Sequence, residues 1–293
     1  MVKKKGEVEN QFNWILILVA GGLIFLFFFS IINWVREGSD QGISITLARN
    51  LDAILTGASV PRETASLIGT IPFNKIEFTC DGYKVDKSVN FRQVDNKIIF
   101  SPNRLEEGIM LTWSFGWDVP FRVSNFLFVS SPKIRYIFIT TAPSGLKRDL
   151  FDYLNKTFPR ELNPEFYTSW GAVPFDDYNN FKVRIVYIGS TPQDQHIIDL
   201  RRMAGEDVTA LEIMPSSELS GTVTFYKKTN PAIAAGFDCY SSCPLSIKPY
   251  FNYASLLGAI FSENPDDYEC NMDKAFQRLN LIAEIYQGKV NSL

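Results

Sequence analysis

The sequence predicts an α+β / α/β protein carried on a membrane anchor, and three observations carry that prediction. No residue from Phe12 to Val35 is charged, and Ile15 to Val19 and Leu23 to Phe29 are apolar on every helical face. Further on, Ile76, Phe78 and Cys80 alternate with Lys75, Glu77 and Thr79, the two-residue period of a half-buried strand. From Pro132 onward, apolar runs without alternation are separated by stripes of helical spacing. The architecture that follows is an N-terminal transmembrane helix, an antiparallel β meander, then a βαβαβ Rossmann-like layer with C-terminal helices. Its divisions are 1–40, a cytoplasmic stub and transmembrane anchor; 41–130, an amphipathic helix and the antiparallel region; 131–230, the α/β layer; and 231–293, a cysteine-containing loop and the last helices.

The anchor runs from Trp14 to Trp34. At about 1.5 Å per residue a helix of that length spans about 30 Å, the hydrocarbon thickness of a bilayer. Trp14 and Trp34 stand where indoles favour the headgroup layer, with Asn13 and Asn33 beside them. A cleaved secretory signal has a shorter apolar core and a small-x-small exit, whereas this core leaves through Phe29, Ser30, Ile31 and Ile32. Lys3, Lys4 and Lys5 precede the span and only Arg36 and Arg49 follow closely, so the positive-inside bias places the N-terminus in the cytoplasm and the body outside.

After the anchor, Ile43, Leu47, Leu51, Ile54 and Leu55 make the apolar face of a helix that Gly57 stops. Strands are expected at 75–80, Val89 to Val94 and Lys97 to Phe100. A longer one follows, with Ile109, Leu111, Trp113, Phe115 and Trp117 on one face, turned by Asp118, Val119 and Pro120. The return strand, Phe121 to Val129, changes face near Ser124 and Asn125, which implies a bulge. In the α/β layer a buried strand at Tyr136 to Ile139 leads to a helix from Leu146 to Phe158, and a second strand runs from Val183 to Ile188. Thr191, Pro192 and Asp194 then form a helix start whose helix Gly205 closes; Val208 to Ile213 is a third strand and Val223 to Tyr226 an edge strand. Pro159 to Asn180 interrupts this alternation with Phe166, Tyr167, Trp170, Phe175 and Tyr178, read as an aromatic plug. Tyr253 to Phe261 is a short apolar helix, followed by one carrying Met272, Ala275, Phe276, Leu279, Ile282 and Tyr286.

Composition narrows the class further. The chain has 293 residues, 46% of them hydrophobic, enough for a sizeable core. The first 35 residues hold three Lys and two Glu, so the net charge of −3 leaves −4 on the body. Nothing is basic enough for phosphate backbones, and nucleic acid is not an expected partner.

Four cysteines, Cys80, Cys239, Cys243 and Cys270, would meet an oxidising environment in an extracytoplasmic body. Only Cys239 and Cys243 are close, whereas a four-thiolate zinc site needs two close pairs, so no metal is expected. Cys80 shares a face with Ile76 and Phe78 and reads as a buried thiol. The expected disulfide joins Cys270 to Cys239 or Cys243, with a Cys239 to Cys243 bridge as the alternative. Asn155, Lys156 and Thr157 form a glycosylation sequon.

The stretch of Lys3, Lys4, Lys5 and Gly6, a polar segment and an unbroken apolar helix resembles the leader of archaeal type IV pilin-like precursors, which are cut after the glycine. The glutamate such families carry five residues past the cut falls here on Gln11. With Phe12, Asn13, Trp14 and Ile15 ahead of a large body, the chain is similar to uncharacterised single-pass membrane proteins of archaea, a resemblance that covers about the first thirty residues and brings no activity with it.

Ligands of open α/β sheets bind beyond the carboxyl ends of the parallel strands, here Thr140 to Gly145, Gly189 to Thr191 and Met214 to Ser217. The candidate ligand-binding residues are therefore Thr141, Ser144, Ser190, Thr191 and Ser216, suited to a small anion or sugar hydroxyls. Against this stands the ordinary use of Ser and Thr as helix caps. No glycine-rich phosphate fingerprint accompanies them, and no cofactor is implied. His196 is the only histidine, which excludes every two-histidine mechanism; Asp176 with Asp177 and Asp266 with Asp267 read as solvated turns, and no Gly-x-Ser-x-Gly elbow occurs. No catalytic residue is named. The expectation is a single-pass cell-envelope protein whose extracytoplasmic body recognises another envelope protein or a surface polymer without catalysis. The alternatives are an anchored enzyme with a site at the strand ends, and a pilin-like filament subunit.

Overall fold

The structure is a computed structural model that describes residues 18–30, 49–58, 65–85, 91–94, 97–141, 144–174, 181–190, 208–228, 237–239 and 246–292. It is a mixed α+β structure with two sheets. Of the Trp14 to Trp34 stretch, 18–30 is described, as a helix (α1) exposed at every residue. Among the described residues no helix is long and apolar enough to cross a membrane.

The first sheet is β1 (Ser66–Thr79), β2 (Gly82–Val85), β3 (Arg92–Gln93), β4 (Ile98–Phe100), β5 (Arg104–Asp118) and β6 (Arg122–Ser130), in the order β3-β2-β1-β5-β6-β4. β3 and β4 are opposite edges, yet only residues 94–97 join them. Five Cα steps reach at most about 18 Å, whereas the edges of six flat strands stand about 24 Å apart. The sheet must curl until its edges approach. That curl corrects the expected meander: β4 pairs with β6 in parallel, while the other pairings are antiparallel. The expected irregularity in the return strand is present, a register shift between Trp117 opposite Ser124 and Asp118 opposite Arg122.

The second sheet comprises β7 (Ile134–Ile139), β8 (Glu165–Tyr167), β9 (Lys182–Ile188), β10 (Val208–Pro215), β11 (Ser220–Lys228), β12 (Phe237–Cys239) and β13 (Ile247–Phe251). Read across, β8, β7, β9 and β10 are parallel, and β11 closes on β10 antiparallel. Numbered by chain order within the layer this is 2-1-3-4-5, four parallel strands with an antiparallel fifth. β11 was expected at an edge; β12 and β13 pair with its far side, so it is internal. β8 lies inside the aromatic stretch 159–180, and that stretch is a plug over its described residues. Phe166 stacks on Phe138 at 4.6 Å, and Trp170, 7% exposed, stacks on Tyr187 on the other face of the sheet. Phe175, Tyr178, Asp176 and Asp177 lie outside the described residues, as do Thr191, His196 and the helix expected between Thr191 and Gly205.

Helices pack against the two sheets. α2 (49–58) enters the core with Leu51 and Leu55 and pairs Asp52 with Lys97 at 2.6 Å. α3 (Leu146–Thr157) covers the second sheet with Leu150, Phe151 and Leu154. In α4 (Asn252–Phe261) every residue from Ala254 to Phe261 is buried, because this helix is wanted by both sheets. Phe261 lies 5.2 Å from Phe128 of the curled sheet and 5.5 Å from Tyr136 of the parallel one. Gly258 admits the Phe100 ring, which a Cβ there would meet at 2.9 Å. α5 (Pro265–Asn291) starts five residues before Cys270, with Asn264 as N-cap accepting from the Asp267 amide at 2.8 Å and Pro265 at the first position.

The cysteine pairing differs from expectation. Cys270 is bonded to Cys80, with Cα atoms 6.0 Å apart and a sequence separation of 190. Cys80 does point inward, but α5 crosses the end of β1 and meets it there, so Cys80 is no free thiol and Cys270 is not available to Cys239 or Cys243. The alternative Cys239 to Cys243 bridge involves Cys243, outside the described residues.

Candidate functional site at the strand ends

The order of the parallel strands reverses between β7 and β9, and the crevice outside their carboxyl ends is where such sheets hold ligands. Thr140, fully buried, spans it. Its amide donates to Tyr167 O at 3.1 Å on the β8 side and its hydroxyl to Ile188 O at 3.2 Å on the β9 side. Gly189 has φ +68° and donates its amide to Ile213 O at 2.8 Å. Lys147, in the first turn of α3, lays its stem where a Cβ on Gly189 would stand and donates to Gly189 O at 2.8 Å. The side chain missed in the sequence is thus the one that crosses the crevice; its only signal was a lysine two places after a glycine.

Thr141 and Ser144 are exposed beside the start of α3. Neither caps that helix: the N-cap is Gly145, at φ 55° and ψ −139°, with no side-chain hydrogen bond to the first-turn amides. Ser190 follows Gly189, and its Oγ is buried without a hydrogen-bond partner among the described residues. Ser216 does not join this group. Its amide and hydroxyl both bond to Ser220 O, closing the β10–β11 hairpin. The rim therefore assembles an ammonium, a buried hydroxyl and uncapped amides, which suit an anion or a polyol hydroxyl.

Three polar clusters escaped the sequence reading. Glu212, in the apolar run of β10, is 7% exposed and accepts from Tyr226 OH at 2.7 Å; burial, and then this carboxylate, pushes the Tyr226 phenol well upward. Arg184 is 3% exposed and donates to Ala259 O, Ile260 O and Ser262 O, the carbonyl end of α4, while neighbouring Lys182 pairs with Glu263. Asp267, expected to be solvated, accepts from the Cys80 amide at 3.2 Å and from Asn264 Nδ2 at 2.7 Å. Burial raises its carboxyl above the ordinary range, against the lowering effect of those two bonds. Lys274 donates to Cys80 O at 2.6 Å, so Cys80 is gripped by α5 through backbone and sulfur together. The sequon falls in the last turns of α3, where Thr157 Oγ1 donates to Tyr153 O and Asn155 accepts from Arg160.

No protein-family model, no curated protein and no solved structure matches this chain.

Proposed function

We propose that this chain is a single-pass membrane protein, N-terminus cytoplasmic, whose extracytoplasmic body recognises another envelope protein or a surface polymer without catalysing a reaction. The observation that carries the reading is the Cys80–Cys270 disulfide, since such bonds persist in oxidising compartments. It is supported by the uncharged stretch from Phe12 to Val35, part of which is an exposed helix at 18–30. A Rossmann-like α/β layer hosts many roles, so the fold itself does not choose among them. The test is membrane-impermeant thiol labelling of intact cells: a cysteine placed at Gly171 is labelled and one placed at Lys4 is not. The reverse pattern removes the reading.

A second reading has one observation of its own, the buried Ser190 hydroxyl beside Lys147 at the switch point. It makes the crevice the site of an anchored enzyme acting on an anionic or hydroxylated ligand. Titration of the full chain with inorganic phosphate and with simple sugars, followed by amide shifts at Gly145 and Ser190, decides it; unchanged shifts dispose of the crevice.

A further inference from the structure

The 27 residues of α5 divide into two halves. Pro265, Tyr268, Asn271, Met272 and Ala275 are buried against the body, and Arg278 ends that half by donating to Ser124 Oγ at 2.8 Å. Beyond it, Leu281 is 58% and Ile285 51% exposed, and a Cβ on Gly288 would meet nothing within 4 Å. Residues 281, 285 and 288 recur at four and three, so they form one stripe. It is a different stripe from 268, 272, 275 and 279, which continues the buried face. Glu284 and Lys289 flank the exposed stripe on opposite sides, five residues apart. Neither enters an ion pair among the described residues; Lys289 Nζ lies 5.8 Å over the Tyr286 ring.

We propose that this stripe is the seam of a parallel two-fold pairing between α5 and the α5 of a second copy of this chain. In heptad terms Ile285 occupies a, Leu281 and Gly288 occupy d, Glu284 is g and Lys289 is e. Ile at a with Leu at d favours two parallel strands. In a parallel pair each g residue faces the e residue five places on in the other helix, so Glu284 of each copy meets Lys289 of the other, twice by symmetry. An antiparallel pair sets the g flank against the g flank and leaves Glu284 without a lysine. Charge complementarity therefore selects both the occupant and its direction. Gly288 at d allows the two backbones to come close where the seam ends.

The test uses the full chain, in membranes and in detergent. Gly288→Cys gives a disulfide-linked dimer under mild oxidation, above the background of the unaltered chain, and Ala283→Cys, on the far side of the helix, gives none. Leu281→Asp with Ile285→Asp removes the cross-link and halves the protein mass measured by light scattering. Glu284→Lys weakens pairing about fivefold, and adding Lys289→Glu restores it. These positions are exposed, so folding is not at stake, and retention of the Cys80–Cys270 bond checks it. A single-chain mass at every concentration overturns the proposal, as does a dimer untouched by the two aspartates. Equal cross-linking at 283 and 288 overturns it too.

Discussion

The curled sheet and the parallel sheet both pack against α4 but are held in different ways. In the parallel sheet β7, β9 and β10 pair in unbroken register, six residues to each pairing, and both faces are covered. In the curled sheet the register shifts twice between β1 and β5 and once between β5 and β6. What the ladder lacks there is supplied from outside it. The Cys80–Cys270 bond, the Asp267 and Lys274 contacts to Cys80, and the Asn103 amide donating to Glu263 all tie the sheet to α5 or to the loop before it. A regular parallel ladder is specified by its own side chains, whereas the curled sheet is fastened from outside, at the end of β1 and just before β5.

The strongest break in that comparison is the loss of the covalent tie. Cys80→Ala, or Cys270→Ala, is expected to cost about 5 kcal/mol, the chain-entropy figure for a closed loop of this length, read as a fall in the denaturation midpoint. If the curled sheet instead keeps its stability, its fastening is the hydrogen bonds and not the sulfur. Next comes the joint between the sheets. Arg184→Ala strands three carbonyls at the end of α4 and is expected to cost about 3 kcal/mol. Hydrogen exchange should then show β9 and α4 loosening together while β1 and β2 stay protected. Gly258→Ala pushes a methyl against the Phe100 ring and is expected to cost about 2 kcal/mol in chemical denaturation.

The smallest effect sharpens the comparison by pH. The Asp267 carboxyl is raised in the folded state, chiefly by burial, so its contribution to stability is fully present below the unfolded value and is lost as pH rises through the folded one. Relative to Asp267→Asn, the unaltered chain should therefore gain stability as pH falls from neutral toward about 4, the unfolded carboxylate value, by less than about 1 kcal/mol. Unfolding curves of the two proteins across that range check the sign. A gap that widens in favour of the variant at low pH removes the role given to burial.

The strands of the parallel layer were legible because burial on both faces writes an apolar run into the sequence, as in Tyr136 to Ile139 and Val183 to Ile188. The helix from Leu146 was legible by its stripe, and the short helix before Phe261 by its unbroken apolar run. The strand ends were legible as a region, but not Lys147, since a lysine on a first turn looks the same whether it faces water or a crevice. The start of α5 could have been read in Asn264, Pro265 and Asp267, an N-cap, a first-position proline and a third-position acid.

Although β2, β8 and β13 fell where no strand was expected, the sequence by itself determined the strongest local periods, such as the apolar runs of β7 and β9 and the stripe of α3, and that Phe12 to Val35 carries no charge. Those follow from contacts at short separation, where spacing along the chain is spacing in space. Tertiary structure alone decided that β4 joins β6 in parallel, that β11 is internal, that Arg184 caps a helix 75 residues away, and that Cys80 rather than a nearer cysteine meets Cys270. Each of these is a meeting of residues distant in the chain. Its partner is fixed by how the sheet curls and where α4 and α5 lie across it, a geometry that no spacing encodes.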